Sequence, residues 1–395
     1  MKQQRTGAQD AAKGLMIIAV IFFHCYMMAF TNYLESIQNF NVMMVLFPFL
    51  LSAFFFYSGY NYKENERTYK ENITRRAKQL LIPLVMAFAI STITISSMEL
   101  AFNHTNPSGT LLNIGNSTLF FLMSEPVALM THFPQHGGII FELILSTGLL
   151  WFLYTLFICS IFFYLLVKFT NKRVTNLITV LIGLLLLAFC LGQFVGPYLP
   201  YTCQCYPVVL AIMLTAAYLR QSHFLNRYIK TKKDVVLQGI NMLIAEGLVV
   251  GTCLICYYQF GSLSAGSLPG GQFDARLRGF DAFISFGFGI FGTYFIHTLC
   301  RLLKHIPVVG YSLQWIGNRS ATFYLFHPIY LDFAAIVFFQ KKVPLGRVQA
   351  LVYAVIVVAL LVLTCLIMRF IHLKKNPDQD YIEQVRNYEA PEVNV

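Results

Sequence analysis

Charge is what this sequence has least of. Only 12% of its 395 residues are Asp, Glu, Lys or Arg, while 57% are hydrophobic, a balance that excludes an ordinary soluble globular domain. The short apolar/polar alternation of a membrane β-barrel is missing too, because the apolar segments are continuous runs. No composition break sets off a soluble domain, and no internal repeat is evident. The first apolar run has no small-residue cleavage site behind it, so the N-terminus is expected to persist as part of the first span. The nine cysteines form no disulfide framework: most lie in apolar runs, and Cys203 and Cys205 in "CQC" are too close for an unstrained bridge. "CLIC" at Cys253 is read as packing. "HFPQH" has metal-ligand spacing at His132 and His136, but Pro134 interrupts it and no carboxylate adjoins, so no metal is expected.

What the chain does have is apolar runs of spanning length. A membrane helix needs about 20 mostly apolar residues. Roughly ten such runs occur, near 14–31, 40–60, 80–99, 140–167, 174–194, 206–220, 235–259, 280–300, 319–339 and 348–371. The fold class expected is an all-α polytopic membrane protein with about ten transmembrane helices, multi-pass in the plasma membrane. Residues 1–375 form one transmembrane domain and 376–395 a polar cytoplasmic tail. The net charge of +11 does not point to nucleic acid, since the basic residues cluster in alternate connections such as "KENERTYKENITRRAK", "RQSHFLNRYIKTKK" and "RFIHLKK". By the positive-inside rule both termini are cytoplasmic.

Three polar clusters interrupt the apolar pattern. In "DAAKGLMIIAVIFFH", Asp10 and Lys13 mark the cytoplasmic entry, and His24 follows fourteen residues after Asp10, roughly 21 Å along a helix. An imidazole that deep is functional or internally paired, and it alone among side chains has an unperturbed pKa near neutrality. "NITRRAKQLLIPLV" puts Arg75, Arg76 and Lys78 at the inner mouth of the third span. They serve either as topology determinants or as ligands for the phosphates of a nucleotide-bearing substrate. In "WIGNRSATFYLFHPIY", Gly317, Asn318 and Arg319 open the ninth span and His327 lies about 12 Å further in, followed by Pro328. Proline leaves a backbone carbonyl without a donor, so His327 has a structural reading as its partner.

These stretches, with "LLSAFFFYSGYNYK" ending in Ser58, Gly59 and Tyr60 and "LWFLYTLF" around Trp151, resemble in order and spacing the acyltransferase-3 family, membrane O-acyltransferases of bacterial cell-surface glycans. The resemblance covers residues from about 10 to 330. It implies an O-acetyltransferase that takes an acyl group, acetyl by default, from cytoplasmic acetyl-CoA or another acyl-CoA. The acceptor would be a cell-surface glycan or lipid-linked sugar on the far side of the membrane. On this resemblance His24 falls on the family's catalytic histidine, and Arg75 and Arg76 fall in its basic acyl-CoA motif. Asp10 and Lys13 would shape the inner mouth, while Ser58 and Tyr60, or Tyr324, would offer hydrogen bonds to the thioester. Lys13 stands where many relatives have Arg, and Arg75 pairs at the family's three-residue spacing with Lys78, which leaves the individual phosphate ligands open. No fused hydrolase-like domain follows.

Glu142, at the outer start of the fourth span, is a candidate to orient His24 or bind acceptor hydroxyls. Glu246 and Asn241 inside the seventh span must face protein or water, and Asp281 and His297 bracket the eighth. The outer loop "GSLSAGSLPGGQFDARLRGFD" is read as flexible from its Gly and Ser content. The rival functions are a proton-coupled transporter or exporter of organic anions, with His24, His327 and Glu246 as relay, or a non-catalytic membrane sensor. Partners beyond the acceptor are membrane lipids, and a homodimer is left open.

Overall fold

The computed structural model describes residues 7–29, 47–62, 68–102, 151–170, 173–195, 200–222, 224–225, 231–262, 265–267, 274, 276–303, 306–339 and 347–375. Among them every regular element is a helix. In chain order these are α1 (Gly7–Ala29), α2 (Leu50–Tyr60), α3 (Tyr69–Arg76), α4 (Ile82–Phe102), α5 (Trp151–Thr170), α6 (Val174–Cys190), α7 (Tyr206–Leu219), α8 (Lys232–Phe260), α9 (Asp281–Leu303), α10 (Pro307–Asn318), α11 (Ser320–Phe339) and α12 (Arg347–Lys375). Seven stretches among the described residues are long and apolar enough to cross a membrane, with Leu50–Tyr60 and Cys203–Leu219 as shorter apolar helices. The chain is an all-α polytopic membrane protein.

Burial separates the centre from the rim. Ala11, Ala12, Met16, Ile17, Ile21 and Cys25 of α1 have no exposed surface, and α7 is buried almost all round, as expected of a helix apolar on every face. On α6 and α8 the large apolar side chains point outward, among them Ile182, Leu186, Leu243, Ile244 and Ile255, each at least half exposed. In water such belts would be a liability; beside acyl chains they are the favourable surface.

Helix α1 packs against α10, α12, α9, α11 and α2, and α10 is its most extensive partner. Their backbones touch. A Cβ at Gly14 would overlap the Leu313 carbonyl, and one at Gly317 would overlap the Asp10 carbonyl and the Gly14 amide. Only glycine permits that approach.

Three expectations change. The third span begins at Tyr69, not near residue 80, because a Thr68/Glu71 capping box starts α3 about three turns earlier. Between α3 and α4 runs a π-helical turn, Ala77–Leu81, just ahead of Pro83. Proline cannot donate to the carbonyl four residues back, and the wider turn absorbs that gap. The second difference lies before the ninth span: α10 is already helical, and Arg319 is the joint between α10 and α11, not the start of the segment.

The third concerns the loop before α9. Its described part is held by Asp281, a fully buried carboxylate whose Oδ1 accepts from Gly266 N at 2.6 Å and whose Oδ2 accepts from Asp274 N at 3.0 Å. Asp274 Oδ1 accepts in turn from Arg276 N at 2.8 Å. A Gly- and Ser-rich composition is no obstacle to order when one buried acceptor gathers the amides.

Candidate active site

The predicted residues fall into two groups. Near the start of α1, Asp10 and Lys13 lie one turn apart, paired at 3.7 Å and both largely buried. The Lys13 ammonium lies 5.9 Å from the centroid of the Tyr57 ring of α2. Tyr57 is buried, and its hydroxyl shares a 3.2 Å hydrogen bond with Nδ1 of His297 on α9. One residue on, Ser58 Oγ accepts from Arg76 Nη2 at 3.5 Å. Gln9 Nε2 donates to Asn61 Oδ1 at 3.0 Å, which ties the start of α1 to the end of α2. Tyr60 is buried with its ring 5.9 Å from that of Phe56.

Beside this group opens a pocket of about 190 Å³, lined by Asn61 and Tyr62 from the end of α2, Asn72, Arg75 and Arg76 from α3, and Ser160 and Tyr164 from α5, among others. The two guanidiniums give it positive charge, and Asn72 Nδ2, donating to the Tyr164 hydroxyl at 2.7 Å, braces its wall. A cavity of this size and donor set suits phosphate groups, which arginine grips with a planar fork. Lys78, expected with the two arginines, is exposed and does not line the pocket. It sits in the π-turn, where the wider winding no longer stacks positions three apart over one another.

The second group is the pair His24 and His327. Their ring centroids are 5.4 Å apart and their planes inclined by 22°. His327 has no exposed surface, whereas His24 is only partly buried, so one imidazole backs the other. His24 lies ten residues beyond Gly14 and His327 ten beyond Gly317, and because those glycines touch, the two rings reach the same height. The Nδ1 of His327 is 2.6 Å from the Tyr324 carbonyl. Tyr324 lies between two rings and tilted to both, 5.4 Å from the His327 ring and 5.4 Å from Phe152 at the start of α5. The lining of the basic pocket includes neither histidine.

Of the remaining candidates, Trp151 is buried at the start of α5 with its ring 6.3 Å from Phe152. Arg319 caps the α10 joint, its guanidinium 4.3 Å from the Trp315 ring and its Nη1 donating to the Trp315 carbonyl at 3.2 Å. That is a structural placement. Glu142 lies outside the described residues, as do His132, His136 and the tail at 376–395. No cluster of potential metal ligands occurs among the described residues. The reading by residue type missed Tyr57, Asn72 and Tyr164. Asn72 could have been found, since it precedes Arg75 and Arg76 by one helical turn and so shares their face.

A family model described as an acyltransferase domain matches residues 8–370. The chain belongs to the acyltransferase-3 family. No match is found among the curated proteins or the solved structures. The family match runs through every cluster above, from Asp10 on α1 to His327 on α11, and makes this chain a multi-pass membrane acyltransferase.

Proposed function

We propose that this membrane acyltransferase moves an acyl group, acetyl by family resemblance, from cytoplasmic acyl-CoA to a hydroxyl of a glycan or lipid-linked sugar across the membrane. The observation that supports this most is the His24 and His327 pair, two imidazoles with centroids 5.4 Å apart in a chain matched almost throughout by an acyltransferase family. In this reading the CoA phosphates occupy the pocket walled by Arg75 and Arg76, with Ser58 beside Arg76. The pantetheine arm extends along the helices toward His24, roughly 16 Å beyond Lys13 on the same helix.

His24 then acts as general base. It takes the proton of the acceptor hydroxyl as that oxygen bonds to the thioester carbonyl carbon. The C–S bond breaks, and the departing thiolate recovers the proton from the imidazolium, which yields the ester and free CoA. A covalent acyl-histidine formed first and then relieved by the hydroxyl has the same balance. The test uses membranes that carry the full chain, labelled acetyl-CoA and the host glycan. Label should enter the glycan with wild type and not with His24→Ala. Equal labelling by both removes His24 from the chemistry, and no labelling from any acyl-CoA removes the reading itself.

A further inference from the structure

Pro328 does something to the residue before it. In an α-helix the N–H of position 328 would donate to the carbonyl of Tyr324, and proline has no N–H to give. That carbonyl is nevertheless partnered, by Nδ1 of His327 at 2.6 Å. A carbonyl only accepts, so Nδ1 carries the hydrogen. In the neutral ring the other nitrogen, Nε2, must then be the one with the lone pair. Nε2 is fully buried and has no hydrogen-bond partner among the described residues. A buried acceptor left empty costs free energy unless something arrives to fill it, and the His24 ring lies beside that of His327, with centroids 5.4 Å apart.

We propose that His327 is a positioning residue whose tautomer is locked by Pro328, so that its Nε2 is held ready to accept an N–H from His24. The inference rests on the acyl-transfer reading and assigns the site a part that the sequence left as mere helix repair. When His24 takes the hydroxyl proton it becomes an imidazolium with two N–H groups. One points to the leaving thiolate. The other turns to His327 Nε2, which orients the ring and stabilises its charge as the third member of a nucleophile, base and orienter set does. No proton passes to His327, and it remains neutral throughout the cycle.

Three substitutions separate this role from helix repair. His327→Asn keeps a donor for the Tyr324 carbonyl but loses the distal acceptor; His327→Gln keeps the distal acceptor but loses the donor. Pro328→Ala restores the backbone N–H at 328, which then competes for Tyr324 and frees the imidazole to adopt either tautomer. Turnover of acetyl-CoA should survive in His327→Gln about tenfold better than in His327→Asn, with the donor KM alike in both. Pro328→Ala should lower kcat although it regularises the helix. Nitrogen-15 spectra of histidine-labelled protein, assigned by the signal lost in His327→Gln, should show the Nδ1–H form in wild type and a mixture in Pro328→Ala. Equal or better turnover in His327→Asn, or an Nε2–H signal in wild type, overturns the inference. If wild type itself turns over no acyl donor, the acyl-transfer reading falls, while the nitrogen spectrum still decides the tautomer.

Discussion

His24 and His327 stand at one height because Gly14 and Gly317 let their helices meet: each histidine is ten residues past the contact, and the rings end 5.4 Å apart.

That contact should be intolerant of even one carbon. Gly317→Ala places its Cβ against the Asp10 carbonyl and the Gly14 amide, both backbone atoms that cannot swing aside. Overpacking of this kind costs about 1–3 kcal/mol. The variant should insert at lower yield and unfold at lower temperature in detergent, whereas Gly247→Ala, with open space around its Cβ, should match wild type.

The pocket assigns unequal weight to the basic residues. Arg76→Ala should raise the KM for acetyl-CoA by about 10- to 100-fold, the effect expected for loss of a charge-assisted hydrogen bond. Lys78→Ala should raise it less, since that side chain lies outside the lining. Initial rates across a donor titration decide it, and an equal effect of the two would return the arginines to topology duty.

Tyr57 and His297 form a buried pair whose members should act as one. Tyr57→Phe and His297→Leu each break the 3.2 Å bond, at a cost of about 1–3 kcal/mol from the partner left unsatisfied. The double variant should be less destabilised than the sum of the singles. A melting series on the four proteins measures the coupling, and strict additivity would mean that the pair does not interact.

Asp281 should control the loop before α9. Asp281→Ala removes the acceptor for both Gly266 N and Asp274 N, so hydrogen exchange at those amides should rise and protease should cut the loop faster. Asp281→Asn, which keeps one oxygen acceptor, should fall between. Unchanged exchange in Asp281→Ala would show that other contacts order the loop.

Much of this was legible in the sequence, for reasons that differ by feature. The helices announced themselves because spans in a bilayer must be long and apolar, a constraint that leaves little ambiguity. His24 was legible because an imidazole in such a run is rare, and Pro328 correctly flagged a carbonyl in need of a donor. The helix before the ninth span was not legible: Arg319 reads as the start of the segment, whereas its guanidinium lies over the Trp315 ring and donates to the Trp315 carbonyl at the joint between α10 and α11. Lys78 groups with the arginines by density in the sequence, and its place in the π-turn keeps it out of the pocket lining. Tyr57 escaped notice because in an aromatic-rich helix nothing local marks the one ring whose hydroxyl finds His297 across the bundle.

The bare seam between α1 and α10 also has a mechanical meaning. Two rods in direct main-chain contact cannot slide or rotate past each other without collision, so together they behave as a keel. On the acyl-transfer reading, an opening for a long thioester must therefore come from planks fastened only by side chains, with α3 and α5 around the arginine pocket the nearest of them.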